Sequence, residues 1–140
     1  MGEEFETERD ALVRTWVRYQ QSGDRADFWA VDRVTMLTSA PGAPAEAWQL
    51  VLDLFGAAPD DVLGAFAAGP LENVVSCHAR QVIDDVERLA RRDRRFRDVL
   101  GRIWLTAGAL APDLERRVVA ASGGAIRPLP SPGSGPARRR

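Results

Sequence analysis

Apolar residues in this chain recur at spacings of three and four, in short segments separated by turn residues. One such segment carries Val82, Ile83, Val86 and Leu89 on a single side. This is the spacing of an amphipathic α-helix, and no segment alternates at period two as a half-buried strand does. The pattern predicts an all-α fold, either a compact orthogonal helical bundle or a short α-superhelix of about six or seven short helices. The predicted helices cover about residues 8–20, 25–38, 44–55, 61–68, 79–92, 95–107 and 112–121.

The composition changes near the end of the chain. From Ser122 onward the sequence reads SGGAIRPLPSPGSGPARRR, which is rich in Gly, Pro, Ser and Arg and holds almost nothing to bury. Such segments cannot offset the entropy of ordering with apolar burial. We therefore predict one helical domain over residues 1–121 and a disordered tail over residues 122–140.

A Gly69–Pro70 pair interrupts an otherwise helical apolar run. Inside a helix, proline lacks a backbone N–H and clashes with the preceding turn, at a cost of about 3 kcal/mol. That cost largely vanishes if Gly69 ends one helix and Pro70 begins the next. We predict a tight corner between two short helices, with a kinked continuous helix as the alternative. In such a corner, Glu72 would lie in the first turn of the new helix and stabilise its positive end.

The second predicted helix, residues 25–38 with Asp24 as its cap, carries many large apolar side chains. Its predicted inward-facing residues are Phe28, Val31, Val34, Met36 and Leu37, with Trp29 at one edge. The four tryptophans of the chain, Trp16, Trp29, Trp48 and Trp104, are expected in or near the core. A partner-binding role remains open above all for Trp29, because aromatic residues at a stripe edge are frequent anchors of interfaces.

Charge is unevenly distributed along the chain. Residues 1–79 carry 5 Arg and 13 acidic residues, a net charge of −8, whereas residues 80–140 carry 14 Arg and 7 acidic residues, a net charge of +7. All 19 basic residues are arginine. A chain of this kind can pair its two halves internally or present two different faces to partners.

An arginine-rich segment spans residues 88–102. Acidic residues are interleaved with these arginines, several of them at the spacing of helix neighbours. The pattern favours a solvated, self-paired face, and it leaves a phosphate-binding surface or an acidic protein partner as alternatives. The arginines are Arg88, Arg91, Arg92, Arg94, Arg95, Arg97 and Arg102, and the interleaved acids are Asp84, Asp85, Glu87, Asp93 and Asp98.

Residues suited to catalysis are few. His78 is the only histidine, and its neighbour Cys77 points about 100° away on a helix, so the two do not form a local nucleophile and base. No metal-binding or phosphate-loop motif is present, and we predict no cofactor. His78 could join Asp32 and Glu72 in a polar pocket, although a structural role at a helix end is the more economical interpretation. The candidate binding residues are Trp29, Asp32, Glu72 and His78.

The sequence also bears on location. The first ten residues, MGEEFETERD, are acidic and lack the apolar stretch of a secretory signal. A single cysteine cannot form an internal disulfide, and no uninterrupted apolar run is long enough to cross a bilayer. The expectation is a cytoplasmic protein that does not enter membranes.

Four stretches of the chain, taken together and in order, resemble an uncharacterised bacterial domain family of unknown function. Members of that family tend to read Phe-Trp-Ala-Trp-Asp, Pro-Glu-x-Ala-Trp, Ala-Ala-Gly-Pro-Leu-Glu and Asp-Pro-x-Phe-Arg, with a Trp soon after. The matching stretches here are FWAVDRV (28–34), PAEAWQLVLDLF (44–55), VLGAFAAGPLENVVSCH (62–78) and IDDVERLARRDRRFRDVLGRIW (83–104).

The resemblance covers roughly residues 12–105. The chain departs from the family pattern at Val31, where Trp is frequent, at Arg94, where Pro is frequent, and at Ala79, where Gly is usual. The resemblance implies an all-α architecture and supplies no catalytic residue to carry over.

These observations favour a non-enzymatic helical protein-interaction module of a bacterial cytoplasm. The alternative is a nucleic-acid-associated protein that uses the arginine-rich segment 88–102, although the interleaved acids make nucleic acid an unfavoured partner. A hydrolase with an Asp/Glu/His pocket is a third, weaker possibility. The first hypothesis is drawn from the class of protein and names no established site.

Overall fold

The computed structural model describes residues 7–130, which form helices joined by short turns. The α-helices are α1 (Glu8–Ser22), α2 (Phe28–Ser39), α3 (Pro44–Ala57), α4 (Leu63–Phe66), α5 (Glu72–Arg92), α6 (Arg94–Leu100) and α7 (Pro112–Ala121). A π-helical segment, Ala67–Leu71, joins α4 to α5 without a break. We call α4, this segment and α5 together the rod. If the rod is counted as one helix, residues 7–130 form six helices and no strand, so the predicted all-α bundle is confirmed.

The first helix begins at residue 8, as predicted, and continues two residues beyond the predicted end near residue 20, to Ser22. Thr7 accepts a hydrogen bond from the backbone N–H of Asp10, and the Asp10 carboxylate accepts one from the N–H of Thr7. This reciprocal pair satisfies N–H groups that the first turn of a helix leaves free. Gly23 ends the helix with a φ of 69°, a left-handed conformation that glycine adopts without a steric penalty.

An aromatic cluster lies where α3 meets α6 and the rod of α4 and α5. The Phe96 ring, fully buried, meets Trp48 and Phe55 edge to face, with ring centres 6.1 and 5.5 Å away. Aromatic pairs of this geometry stabilise beyond the area they bury. Arg95 covers the other side of this cluster, because its guanidinium lies 5.0 Å from the Phe55 ring centre and donates to the carbonyl of Ala58.

The predicted corner at Gly69 and Pro70 is wrong. The chain continues as one rod from α4 to α5, and Gly69 does not have a positive φ. A π turn accommodates Pro70, which has no backbone N–H and whose ring would clash with the preceding turn of an α-helix. The N–H of Glu72 donates to the carbonyl of Ala67, five residues back, and this wider turn leaves room for the proline ring. The continuous helix, the alternative left open by the sequence, is the one observed.

The predicted orientation of α2 is also wrong. Its buried side consists of Ala30, Val34 and Thr38, whereas three residues expected to face inward, Phe28, Met36 and Leu37, are between 42 and 55% exposed. Small residues spaced by four allow close approach of neighbouring helices, so α2 packs on α1, α3 and α5 through its small side chains.

The chain beyond α7 also packs on the bundle, at least as far as residue 130. Ile126 is 3% exposed, and Ser122, also buried, accepts a hydrogen bond from the Ile126 N–H. The N–H of Leu129 donates to the carbonyl of Leu105, and its carbonyl accepts from the N–H of Ala107. The prediction of a disordered tail from Ser122 is therefore wrong for residues 122–130, because one apolar side chain and two backbone hydrogen bonds hold them. Its remainder, residues 131–140, lies outside the described residues.

Replacing Ile126 tests this packing. Ile126→Ala should lower the free energy of unfolding by about 2–4 kcal/mol, the usual cost of truncating a buried aliphatic side chain. Chemical denaturation measures the difference, with Arg127→Ala as the control because Arg127 is exposed. Equal stabilities for the two variants would mean that this segment contributes nothing to the fold.

Replacing Gly69 tests the continuous rod. A Cβ atom at Gly69 would meet no heavy atom within 4 Å, so Gly69→Ala should stabilise the protein by about 0.5–1 kcal/mol, the helix-interior preference for alanine. Gly23→Ala, whose Cβ also has open space, should destabilise it by about 1–2 kcal/mol because Gly23 has a positive φ. Thermal melts of both variants check the contrast, and a destabilised Gly69→Ala would favour a corner.

Candidate functional site

One side of α2 exposes four large apolar side chains to solvent. Phe28, Trp29, Met36 and Leu37 are 43, 50, 55 and 42% exposed. At about 100° per residue they occupy one continuous half of the helix, and Asp32 lies among them. We call these residues, together with Arg33, the outward face of α2. Apolar side chains concentrated in this way are typical of a surface that binds another molecule.

A groove runs along one edge of the outward face. Its volume is about 820 Å³, and it is lined by Trp29, Arg33 and Leu37 of α2 and by Ala40, which follows that helix. The other walls are the first two turns of α1 and of α3 with the residues just before them. They contribute Thr7, Glu8, Arg9, Ala11, Leu12, Ala43, Glu46 and Leu50. The floor is mainly apolar and the charged residues lie at the rim, which is the usual arrangement of a binding groove.

An ion pair holds the beginning of α2. The Arg18 guanidinium donates from Nε and Nη2 to the two oxygens of Asp27, at 2.7 and 2.8 Å, and Asp27 is buried. These two parallel hydrogen bonds hold the pKa of the Asp27 carboxyl below its ordinary value. Beside them, the Phe28 ring meets Tyr19 of α1 edge to face, with ring centres 5.4 Å apart. The aromatic end of the outward face is therefore held against α1.

A second contact holds the end of α2. The buried hydroxyl of Thr38 donates to the carbonyl of Val34 and accepts a hydrogen bond from the Asn73 amide at 3.2 Å. These two hydrogen bonds offset the cost of removing the Thr38 hydroxyl from water, a cost that an unpaired buried hydroxyl would bear in full. With Arg18–Asp27 at one end and Thr38–Asn73 at the other, both ends of α2 are fastened to the bundle.

Glu72 contacts a loop instead of stabilising the start of a new helix, because the rod is continuous at this position. Its carboxylate accepts a hydrogen bond from the backbone N–H of Trp104 at 3.0 Å, in the loop that follows α6. The predicted helix 95–107 ends at Leu100, and the Trp104 side chain is 66% exposed instead of packed in the core. Glu72 therefore holds the loop that displays this indole. Trp16 and Trp48 are buried, as predicted.

His78 lies inside the α5 rod, at a kink and not at a free helix end. Its φ and ψ of −132° and 25° are not helical, although the helix continues on both sides. The side chain is 4% exposed, and Nε2 has no hydrogen-bond partner in the described structure. The predicted helix boundary between His78 and Ala79 corresponds to this kink. Cys77 next to it is an exposed free thiol.

The four predicted site residues form no common pocket of polar groups. Trp29 and Asp32 share the outward face of α2, whereas Glu72 and His78 belong to α5 and have the separate surroundings described above. Within residues 7–130, Asp32, Glu72 and His78 make no hydrogen bond or ion pair with one another, and no three His, Cys, Asp or Glu side chains could hold a metal ion. The polar pocket considered from the sequence thus has no geometric basis here.

Three residues of the outward face were not among the binding residues predicted from the sequence, because they were expected to face the core. They are Phe28, Met36 and Leu37. A signal for the observed arrangement was present. Ala30, Val34 and Thr38 recur every four residues and form a stripe of small side chains. Such a stripe permits closer helix packing than the bulky residues do, and the bulky residues must then face outward.

Two members of the arginine-rich segment have structural partners. Arg88 pairs with Asp85 at 2.7 Å, and Arg95 reaches Asp60 at 3.2 Å as well as the carbonyl of Ala58. On α7, Arg117 donates to Asp84 and Glu87 of α5, both at 2.7 Å, which lowers the pKa of the Glu87 carboxyl. The basic and acidic side chains of the second half of the chain therefore pair in part with one another.

Comparison with known proteins places the chain in a family. A family model described as a family of unknown function, DUF6869, matches residues 18–126. Because the match covers most of the chain, the protein belongs to this family, in agreement with the resemblance to an uncharacterised domain. The matched region contains the whole of α2 and extends to Ile126. No curated protein and no solved structure matches the chain.

The described helices include none with both the length and the apolar content that crossing a membrane requires.

The pairing of Arg18 with Asp27 predicts a dependence of stability on pH. Because the folded-state pKa of Asp27 lies below its unfolded value, this ion pair stabilises the protein above about pH 4, and the stabilisation is lost as the pH falls through the folded-state value. Asp27→Asn should therefore be less stable than the wild type at neutral pH, and the difference should shrink between about pH 5 and pH 2.

Urea denaturation at a series of pH values measures this difference. Asp32→Asn is the control, since Asp32 is an exposed carboxylate five residues further along the chain, in α2. A wild-type advantage over Asp27→Asn that is the same at every pH would contradict the assignment.

Proposed function

We propose that this protein is a non-enzymatic helical interaction module, and that the outward face of α2 is the surface with which it binds another protein. The observation that carries the proposal is the exposure of Phe28, Trp29, Met36 and Leu37 along one side of a single helix. Because each of these side chains is about half exposed, burying the remainder would contribute roughly half of the 1.5–3 kcal/mol that full burial of a large apolar side chain provides. A protein partner that covers them recovers part of this free energy.

The way in which α2 is held supports a recognition role. Both ends of the helix are fastened, so the outward face is preorganised and binding needs little further ordering. Trp29 combines a half-exposed indole with a place in the lining of the groove, and tryptophan is among the residue types that most often form binding hot spots. Asp32 and Arg33 supply charges that can select a partner.

We further propose a bacterial cytoplasmic location for this module. The single cysteine, which is free and exposed, favours a reducing compartment over an oxidising one. Fractionation of source cells, with detection by an antibody, tests the location. Recovery with the membrane or secreted fraction would contradict it.

Affinity purification followed by mass spectrometry tests the docking surface. Proteins that co-purify with the tagged wild type should be lost with Trp29→Ala and with Met36→Ala, because each variant removes a large exposed side chain from the outward face. They should be retained with Trp104→Ala, which removes a similar exposed aromatic from a loop outside α2. Thermal melts of all three variants establish that they fold.

The contrary outcomes are specific. A protein that is captured equally by all the variants would show that the outward face of α2 is not the docking surface. Selective retention on DNA at about 150 mM salt, where weak electrostatic binding fades, would favour the arginine-rich segment instead.

A further inference from the structure

We propose that the partner of the outward face of α2 is a second copy of this chain, with the two α2 helices parallel and side by side about a twofold axis that runs along them. This inference rests on the proposed function, since it names the occupant of the same surface. It is carried by the placement of charged and apolar side chains on that face.

The middle of the outward face is a line of two large residues. Trp29 and Met36 are seven residues apart, so on a helix they point in nearly the same direction. Phe28 and Leu37 lie at the two edges of the face, about 90° to either side of this line. Two such faces pressed together would bury Trp29 and Met36 against their own counterparts, with Phe28 and Leu37 closing the sides. A repeat of seven residues is the spacing at which paired helices keep the same residues in contact.

The only charged residues on the outward face are one acid and one base. Asp32 and Arg33 lie about 50° to opposite sides of the middle line and at nearly the same height. Neighbours in sequence do not face each other on a helix, so the two cannot neutralise each other. Neither makes an ion pair or a side-chain hydrogen bond within residues 7–130. Both charges are thus free to interact across an interface.

A parallel twofold arrangement pairs these charges. Rotation about an axis along the helices brings Asp32 of each copy opposite Arg33 of the other, which gives two equivalent ion pairs. In an antiparallel arrangement, Asp32 would instead face its own counterpart and Arg33 would do the same. Like charges placed directly opposite are unfavourable, so the charge pattern selects the parallel pair.

The size of the face sets the expected strength. Helix α2 has 12 residues, which at 1.5 Å per residue span about 18 Å. One helix face lies at the small end of specific interfaces, so we expect a dissociation constant in the micromolar range. The net charge of −1 means that two copies do not repel each other at long range.

Sedimentation of the purified full chain measures this association, over about 1–300 µM protein. The wild type should pass from monomer to dimer within that range. Trp29→Ala should remain monomeric, whereas Trp104→Ala should dimerise as the wild type does. Asp32→Arg and Arg33→Asp should each weaken dimerisation about tenfold or more, because each turns two attractive pairs into two repulsive ones.

Exchanging the two charges is the decisive variant. The double substitution Asp32→Arg with Arg33→Asp recreates both ion pairs in reverse and should restore dimerisation to near the wild-type level. The positions substituted in the sedimentation experiments are all exposed, and thermal melts verify that the variants fold. They are Trp29, Asp32, Arg33 and Trp104. A double variant as weak as either single variant would overturn the reciprocal pairing.

Crosslinking tests the direction of the helices. In a Cys77→Ser background, the truncation Met36→Cys should weaken the dimer but, at the highest protein concentrations, should still form a disulfide between two copies on mild oxidation, since the parallel pair places residue 36 beside its counterpart. An antiparallel pair would place residue 36 beside Trp29 of the other copy. A dimer that does not crosslink through residue 36 would therefore overturn the parallel arrangement.

The results also separate this inference from the proposed function. A wild type that stays monomeric throughout the range, while Trp29→Ala still loses a captured protein, overturns self-association alone. A Trp29→Ala variant that dimerises normally and captures the same proteins as the wild type overturns both.

Discussion

The position of α2 depends on close contact between helices through small side chains. Ala30 and Val34 are almost completely buried, and Thr38 joins them because Asn73 and the Val34 carbonyl satisfy its hydroxyl. Larger residues on this side would push α2 away from α1, α3 and α5. The same contact decides what faces outward, since a helix that presents its small side to the core must present its bulky side to solvent. The candidate docking surface is therefore a direct consequence of how the core is packed.

Much of the architecture could be predicted from the sequence because local rules governed it. The cap at Thr7, the left-handed Gly23, and the starts of α3 and α7 at Pro44 and Pro112 all follow from the chemistry of single positions. The all-α class follows from the period of the apolar residues alone. None of these features requires knowledge of which helices are neighbours.

The predictions failed where a contact between distant parts of the chain determined the structure. Ile126 is buried against the helix bundle, and this contact depends on the fold and not on its neighbours in sequence. The Gly- and Pro-rich composition around Ile126 therefore gave no sign of the contact. Pro70 was expected to begin a new helix after a corner at Gly69, but the buried residues on both sides of it stabilise the continuous rod by more than a π turn costs. The four candidate site residues were proposed as a group, and only Trp29 and Asp32 share a surface, because helical spacing relates residues within one helix and says nothing about residues on different ones.

In the rod from α4 to α5, the repeat of the buried residues differs from the period of an α-helix. From Val62 to Ile83 its buried residues come as adjacent pairs every four residues, at 62–63, 66–67, 70–71, 74–75, 78–79 and 82–83. An α-helix turns once in about 3.6 residues, so an ideal helix would drift away from such a pattern and carry its apolar side out of the core. The π turn at Ala67–Leu71 and the non-helical backbone at His78 are the two places where the rod departs from α-helical geometry, and there its buried side can be realigned with the core. The Gly-Pro pair and the lone histidine, both of which were predicted from the sequence to lie at helix ends, thus keep one long helix in register with its surroundings.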